Sequence, residues 1–276
     1  MNYFERARYF RTKKRLGQNF LINGEIIQDI IEFANISPDD TVLEIGPGVG
    51  FVTEQLVKHA KKVIAVELDE EAIKELKKLN APNLEIIHND ILKTDISSLC
   101  DEKVKVVANI PYYITSPIIA HLLGEVDDLD NKNRAHIKDI ILMVQEEVAR
   151  RMVANENSQG KQYGLLTILS QFWADVEILK LVGRKNFFPA PKVNSALVKL
   201  DVKTEPRLKL KDYSHFRKVV KAGFAQRRKN IKNCLLNGGF TKESITKALS
   251  ELGIDENTRG EKLSIETFGK LSELLK

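Results

Sequence analysis

A chain of 276 residues holds one domain of ordinary size plus a smaller appendage, and a hydrophobic share of 43% is enough to bury a core, which excludes a disordered polymer. No apolar run approaches the roughly 20 residues of a membrane-spanning helix, the charged start MNYFERARYF lacks the apolar centre of a signal peptide, and two distant cysteines, Cys100 and Cys234, make no disulfide framework. A cytoplasmic protein is therefore expected. Five scattered histidines without cysteine pairs give no metal-ligand spacing, so no metal is expected.

In chain order, Asn23 caps an amphipathic helix whose stripe is Ile26, Ile27, Ile30, Ile31 and Ala34. The turn Ser37-Pro38-Asp39-Asp40 leads into a short apolar strand, Thr41 to Ile45, and a cluster of glycines opens the next helical pattern. A second strand runs from Lys62 to Val66, and the stripe Ala72, Ile73, Leu76, Leu79 forms a helix that Pro82 must end. Further strands are expected at 84–87, 104–108, 139–144, 176–181 and 196–200. Strands alternating with helices predict an α/β fold, a mostly parallel Rossmann-like sheet covered on both faces. The last two strands leave little room for a crossover helix and are expected at an antiparallel edge. After Asp201 only helical patterns remain, at 213–224, 229–236, 242–252 and 265–275. The expected domains are 1–202, an α/β domain with a basic N-terminal arm, and 203–276, a small all-helical domain.

Charge follows the same division. Against a total of +5, residues 1–15 carry +5 and residues 203–232 carry +9, leaving the rest of the chain at −9. That segregation suits a polyanion such as nucleic acid, and it equally suits solvated lysine-rich helices.

The strongest local signal is Val42-Leu43-Glu44-Ile45-Gly46-Pro47-Gly48-Val49-Gly50. A strand that runs into closely spaced glycines lets backbone N–H groups approach a ligand at the carboxyl edge of a sheet. The spacing G-x-G-x-G puts Phe51 where a dinucleotide fingerprint needs its third glycine, and no triphosphate loop is present. Three acceptors then close successive strands. Glu67 lies 21 residues past Gly46, where a ribose-binding carboxylate is expected. Asp90 is placed to accept from an adenine amine, and Asn109 begins Asn109-Ile110-Pro111-Tyr112. Each alone could cap a helix or a turn; in series after a glycine turn they read as an adenosyl site.

The Asn109 stretch indicates the second substrate. An aromatic amine is a poor nucleophile because its lone pair is delocalised into the ring. Neutral acceptors, such as the Asn109 side chain and the carbonyl ahead of Pro111, favour the positive charge that develops on nitrogen during alkylation. Tyr112 offers a flat face for the base.

These stretches resemble the KsgA/RsmA family of 16S ribosomal RNA dimethyladenosine transferases over nearly the whole chain. The matching blocks are KKRLGQNFL (13–21), VLEIGPGVGFVT (42–53), AVELD (65–69), HNDIL (88–92), ANIPYYITSPI (108–118), QYGLL (162–166), FFPAPKVNSALV (187–198), FAQRRKNIKNCL (224–235) and GIDENTRGEKLS (253–264). The resemblance implies an S-adenosyl-L-methionine-dependent methyltransferase. Gln18, Asn19 and Leu21 would contact the cofactor from the arm, Gly46 and Gly48 would pass its methionine part, Glu67 and Leu68 would hold the ribose end, and Asp90 with Ile91 the adenine. Asn109, Pro111, Tyr112 and Phe187 would handle the target base, with Tyr112 and Phe187 stacking on a flipped adenine. Lys13, Lys14, Arg15, Arg227, Arg228, Lys229 and Lys232 would contact RNA phosphates.

The implied reaction is N6,N6-dimethylation of two adjacent adenosines in the 3′-terminal hairpin loop of 16S RNA, on a 30S precursor, by a monomer with a role in ribosome biogenesis. Three alternatives stand beside it. An Erm-type 23S enzyme would share the pocket, though the C-terminal blocks look like the 16S enzymes. A non-catalytic assembly factor would be expected to lose the pocket residues. A nicotinamide oxidoreductase would need the dinucleotide glycine spacing.

Overall fold

Strands that are buried on both faces read as near-continuous apolar runs, and this chain supplies several. The structure, a computed structural model, describes residues 2–13, 16–160 and 162–275. Its first half contains α1 (Tyr3–Tyr9), β1 (Phe20–Leu21), α2 (Gly24–Phe33), β2 (Thr41–Ile45), α3 (Thr53–His59), β3 (Lys62–Glu67), α4 (Glu70–Lys77), β4 (Leu84–His88) and β5 (Val104–Asn109). There follow α5 (Thr115–Leu123), α6 (Lys132–Ala135), β6 (Ile137–Gln145), α7 (Glu146–Met152), α8 (Leu165–Trp173), β7 (Ala174–Val182), β8 (Phe187–Phe188) and β9 (Ser195–Val202). The C-terminal helices are α9 (Tyr213–Ala225), α10 (Ile231–Asn237), α11 (Lys242–Glu251) and α12 (Ile265–Leu274).

The large sheet has seven strands in the order β4-β3-β2-β5-β6-β9-β7. The pairs β2–β3, β2–β5, β3–β4 and β5–β6 are parallel, and β9 is antiparallel to β6. The order reverses between β2 and β5, which opens a crevice at the carboxyl ends of the central strands, where open α/β sheets bind ligands. This is a Rossmann-like α/β fold. The final strands lie together at the edge, as expected: β9 pairs antiparallel with β6, and β7 is the outermost strand on that side.

Two features escape sequence periodicity. Helix α1 is closed by a capping box, in which the Asn2 side chain accepts from the Glu5 N–H and the Glu5 carboxylate accepts from the Asn2 N–H. Strands β1 and β8 form their own antiparallel pair, Phe20 opposite Phe188 and Leu21 opposite Phe187. That pair ties the end of the N-terminal arm to the body. The Ile22 N–H donates to the Asn186 carbonyl at 2.9 Å, and Asn23 donates from its side chain to Asn186 Oδ1 at 2.8 Å. Around it, Phe20, Phe51, Ile27 and Leu56 belong to one buried apolar cluster.

By contacts the chain forms two compact units, one of residues 1–123, 130–149 and 175–202, the other of 124–129, 150–174 and 203–276. One junction falls after Val202, and two earlier segments also group with the C-terminal helices. In the second unit Phe172 stacks on Phe216 (5.4 Å between centroids), and Phe224 lies 5.2 Å from Phe268. Among the described residues no helix is long and apolar enough to cross a membrane, and no group of side chains has metal-ligating geometry.

Candidate active site

A cleft, open at its mouth, lies in the first unit at the carboxyl ends of β2, β3, β4 and β5. Its floor is the glycine turn. Gly46 and Gly48 have φ of +65° and +57°, in the left-handed region. A Cβ on Gly48 would come within 2.7 Å of the Phe20 ring, whereas one on Gly46 would meet nothing within 4 Å. The turn is thus tight on its core side and open toward the cleft.

Glu67, at the end of β3, organises this side of the cleft. Its Oε2 accepts from the Gly48 N–H at 2.9 Å, and its Oε1 accepts from the N–H groups of Leu68 and Asp69, both at 2.8 Å. A carboxylate has about four acceptor positions, so these bonds leave room for about one more hydroxyl donor. Burial raises the Glu67 pKa, and the three backbone donors oppose that shift without cancelling it. Beneath the turn lies Glu44, 3% exposed, which accepts from the Thr53 hydroxyl at 2.6 Å. Burial, together with the nearby charge of Glu67, pushes its pKa up to about 8. A carboxyl group inside an otherwise apolar strand was its only sequence signal.

The N-terminal arm is latched over the same side. Lys13 forms an ion pair with Asp69 Oδ1, and Gln18 donates to Asp69 Oδ2 at 2.7 Å while accepting from the Lys13 N–H at 2.7 Å. Burial raises the Asp69 pKa, but these donors and the Glu71 N–H outweigh it and hold the carboxyl below its usual value. Asp90, after β4, accepts from the Leu92 N–H through Oδ1 at 3.0 Å, and no described group donates to its Oδ2.

The opposite wall is the Asn109 corner. Asn109 Nδ2 donates to the Asn19 carbonyl at 3.1 Å, which orients the side-chain amide. No described group donates to its Oδ1. Pro111 precedes a single 3-10 turn, Tyr112–Ile114, and the Tyr112 hydroxyl is 2.6 Å from Ser195 Oγ at the start of β9. Burial raises the Tyr112 pKa.

The cleft thus unites Gln18, Asn19, Leu21, Gly46, Gly48, Glu67, Leu68, Asp90, Ile91, Asn109, Pro111 and Tyr112. Phe187 is not on its wall: it is 2% exposed and packed opposite Leu21. Residues on the wall that the sequence reading did not single out include Leu16, Phe20, Glu44 and Tyr113. Of the basic residues, Lys13 is engaged by Asp69 and Lys232 by Glu256, Arg227, Arg228 and Lys229 are exposed in the second unit, and Lys14 and Arg15 lie outside the described residues.

The pattern described as ribosomal RNA adenine dimethylase matches residues 9–276. The chain belongs to that family. As a ribosomal RNA adenine dimethylase it is similar to a ribosomal RNA small subunit methyltransferase A of Clostridium botulinum (strain Kyoto / Type A2), 44% identical over 272 residues, covering 96% of this chain and 94% of the relative. Among solved structures it is similar to a dimethyladenosine transferase from Plasmodium falciparum, with TM-score 0.72, 32% identity and coverage of 90% of this chain and 94% of that one. It is also similar to the 23S rRNA methyltransferase ErmE, with TM-score 0.71, 29% identity and coverage of 93% and 99%. This dimethylase is therefore an enzyme that methylates adenine in ribosomal RNA, and its family and fold imply S-adenosylmethionine as methyl donor.

Proposed function

We propose that the enzyme dimethylates N6 of two adjacent adenosines in the 3′-terminal hairpin loop of 16S ribosomal RNA, on a precursor of the 30S subunit, and so takes part in ribosome biogenesis. The observation that carries this reading is the orientation of Asn109. One of its two N–H groups is held by the Asn19 carbonyl and no described group donates to its Oδ1, so an acceptor is left for a ligand, which is what an exocyclic amine requires.

The residues at the carboxyl ends of β3 and β4 fit S-adenosylmethionine. Glu67 retains acceptor capacity for a ribose hydroxyl, Asp90 Oδ2 can accept from the adenine amine, Leu68 and Ile91 offer apolar contact, and the open side of Gly46 admits the methionine part. Gln18, Asn19 and Leu21 close over it from the arm. When bound, this cofactor supplies an electrophilic methyl on a positively charged sulfur.

The chain's own task is to hold the amine in line and to tolerate charge on it. Asn109 Oδ1 and the carbonyl of Ile110, ahead of Pro111, are neutral acceptors, so they stabilise positive charge developing on nitrogen and need no prior loss of a proton. Tyr112 stacks on the base, and Phe187, which lies off the wall, backs the β1 segment from the core. Lys13, Arg227, Arg228, Lys229 and Lys232 meet phosphates, which position RNA without choosing its sequence; Lys13 and Lys232 would exchange their present carboxylate partners to do so. On this reading the enzyme acts as a monomer in the cytoplasm. The small-subunit target is supported by the 44% identity to enzymes of that name, against 29% to ErmE, and by the C-terminal blocks.

The test is methyl transfer from labelled S-adenosylmethionine to undermethylated 30S subunits and to protein-free 23S RNA, with Asn109→Ala in parallel. Label at paired adenosines of the 30S particle, lost in the variant, is expected. Label on 23S RNA alone overturns the choice of target, and tight 30S binding without label overturns the catalytic reading.

A further inference from the structure

Two tyrosines follow Pro111, and the structure treats them in opposite ways. Tyr112 is drawn inward by its hydrogen bond to Ser195. Tyr113, on the same 3-10 turn, lines the same cleft yet is 60% exposed. Among the described residues the other large exposed aromatics are Tyr9 and Phe4, and neither lines this cleft.

An exposed phenol at the mouth of a site has an ordinary explanation, that its ring only covers the backbone beneath it. The packing argues for more. The ring lies against Gly17: a Cβ built there would meet Tyr113 Cε1 at 3.2 Å and Cδ1 at 3.3 Å, and Pro111 Cβ at 3.4 Å. Gly17 has φ +59°, so both its backbone and its missing side chain suit this approach. The segment behind the ring is itself held, since Gln18 is fixed by Asp69 and Lys13, and the Asn19 side chain donates to the Gly17 carbonyl at 2.9 Å. The Cδ1–Cε1 edge of the ring therefore rests against anchored chain while the residue is 60% exposed, which leaves ring surface for a base to stack on.

The substrate is a polymer. When one adenosine enters the cleft its chain neighbour stays at the mouth and loses the stacking partner it had. We propose that Tyr113 stacks on the nucleotide next to the target adenosine, holding it while its neighbour is methylated. The inference rests on the reading of this cleft as the target-base site and adds a residue that positions the flanking nucleotide, of which a paired adenosine would be one.

Steady-state methyl transfer to undermethylated 30S subunits tests it with Tyr113→Ala, Tyr113→Leu and Tyr113→Phe, alongside S-adenosylmethionine affinity by equilibrium dialysis. Loss of one stacked base predicts a KM for 30S raised roughly 5- to 150-fold in Tyr113→Ala, with kcat and cofactor affinity held to within about twofold. Tyr113→Phe should restore the KM, and Tyr113→Leu, apolar but without a π-face, should not. A KM unchanged in Tyr113→Ala overturns the inference, as does a loss confined to kcat or cofactor affinity, or full rescue by leucine. Absence of transfer by the unaltered enzyme would instead overturn the reading of the cleft.

Discussion

The two walls of the cleft are built on different principles. On the β3 side the carboxylates are absorbed into the protein's own hydrogen bonding: Glu67 joins the glycine turn to the start of α4 through three backbone donors, and Asp69 is clamped by Lys13 and Gln18, whereas Asp90 after β4 keeps one oxygen free. On the Asn109 side each functional group has a single anchor, Asn109 to Asn19 and Tyr112 to Ser195. A wall fastened many times keeps its shape before a ligand arrives. A wall of singly anchored groups keeps their free ends for a ligand. The first suits a cofactor bound in every cycle, the second a base that must be admitted, held and released.

The sharpest way to break the comparison is to remove one group from each wall. Asn109→Ala should lower kcat by ~100- to 1000-fold, the usual loss for one electrostatic donor or acceptor at a reacting centre, with cofactor affinity nearly unchanged. Glu67→Gln should do the reverse. Gln offers a single acceptor oxygen where three backbone N–H groups now bond, and losing a charge-assisted hydrogen bond should raise the cofactor Kd roughly 10- to 150-fold. Calorimetry for binding and single-turnover transfer for kcat separate the two effects. If both variants lose both quantities equally, the walls are not functionally distinct.

Glu44 sharpens the comparison through pH. Its folded pKa of about 8 stands above the ordinary 4.5, so between those values the folded protein keeps a proton that the unfolded chain has released. The folded state then binds more protons, and stability falls as pH rises through that window, by at most about 1.4 kcal/mol per pH unit. Glu44→Gln keeps an acceptor for Thr53 and removes the titration. Its advantage over the unaltered enzyme should be small at pH 5 and grow toward pH 8 in urea unfolding, and a constant difference across that range would show that Glu44 is already ionised.

Legibility in the sequence follows the same physical division. The central parallel strands were legible because burial on both faces makes them apolar runs, and the side-chain acceptors that line the cleft because each closes a strand. Strands β1 and β8 were not, since two residues carry no periodicity and their pairing joins Phe20 to Phe188 across most of the α/β unit. The insertion of β9 beside β6 is likewise a tertiary choice that no local pattern encodes. At the site, the resemblance supplied residue types without their bonding: nothing in the text of the sequence says that Glu67 spends most of its acceptor capacity on backbone, that Phe187 faces the core, or that Tyr113 and not only Tyr112 stands at the mouth.

The smallest effect tests the single anchor of Tyr112. If the bond to Ser195 only fills a polar vacancy, removing either hydroxyl leaves the other unpaired, Ser195 in a fully buried place and Tyr112 in a half-buried one, and costs stability alone. If it sets the angle of the ring toward the base, Tyr112→Phe and Ser195→Ala should each lower kcat/KM for RNA by roughly 3- to 10-fold, and the double variant should lose little more than either, since both remove one interaction. Cofactor affinity should stay put in all three, because the ring belongs to the other wall. Additive losses, or losses that appear only in thermal stability, would leave Tyr112 as packing and shift recognition of the base onto Asn109.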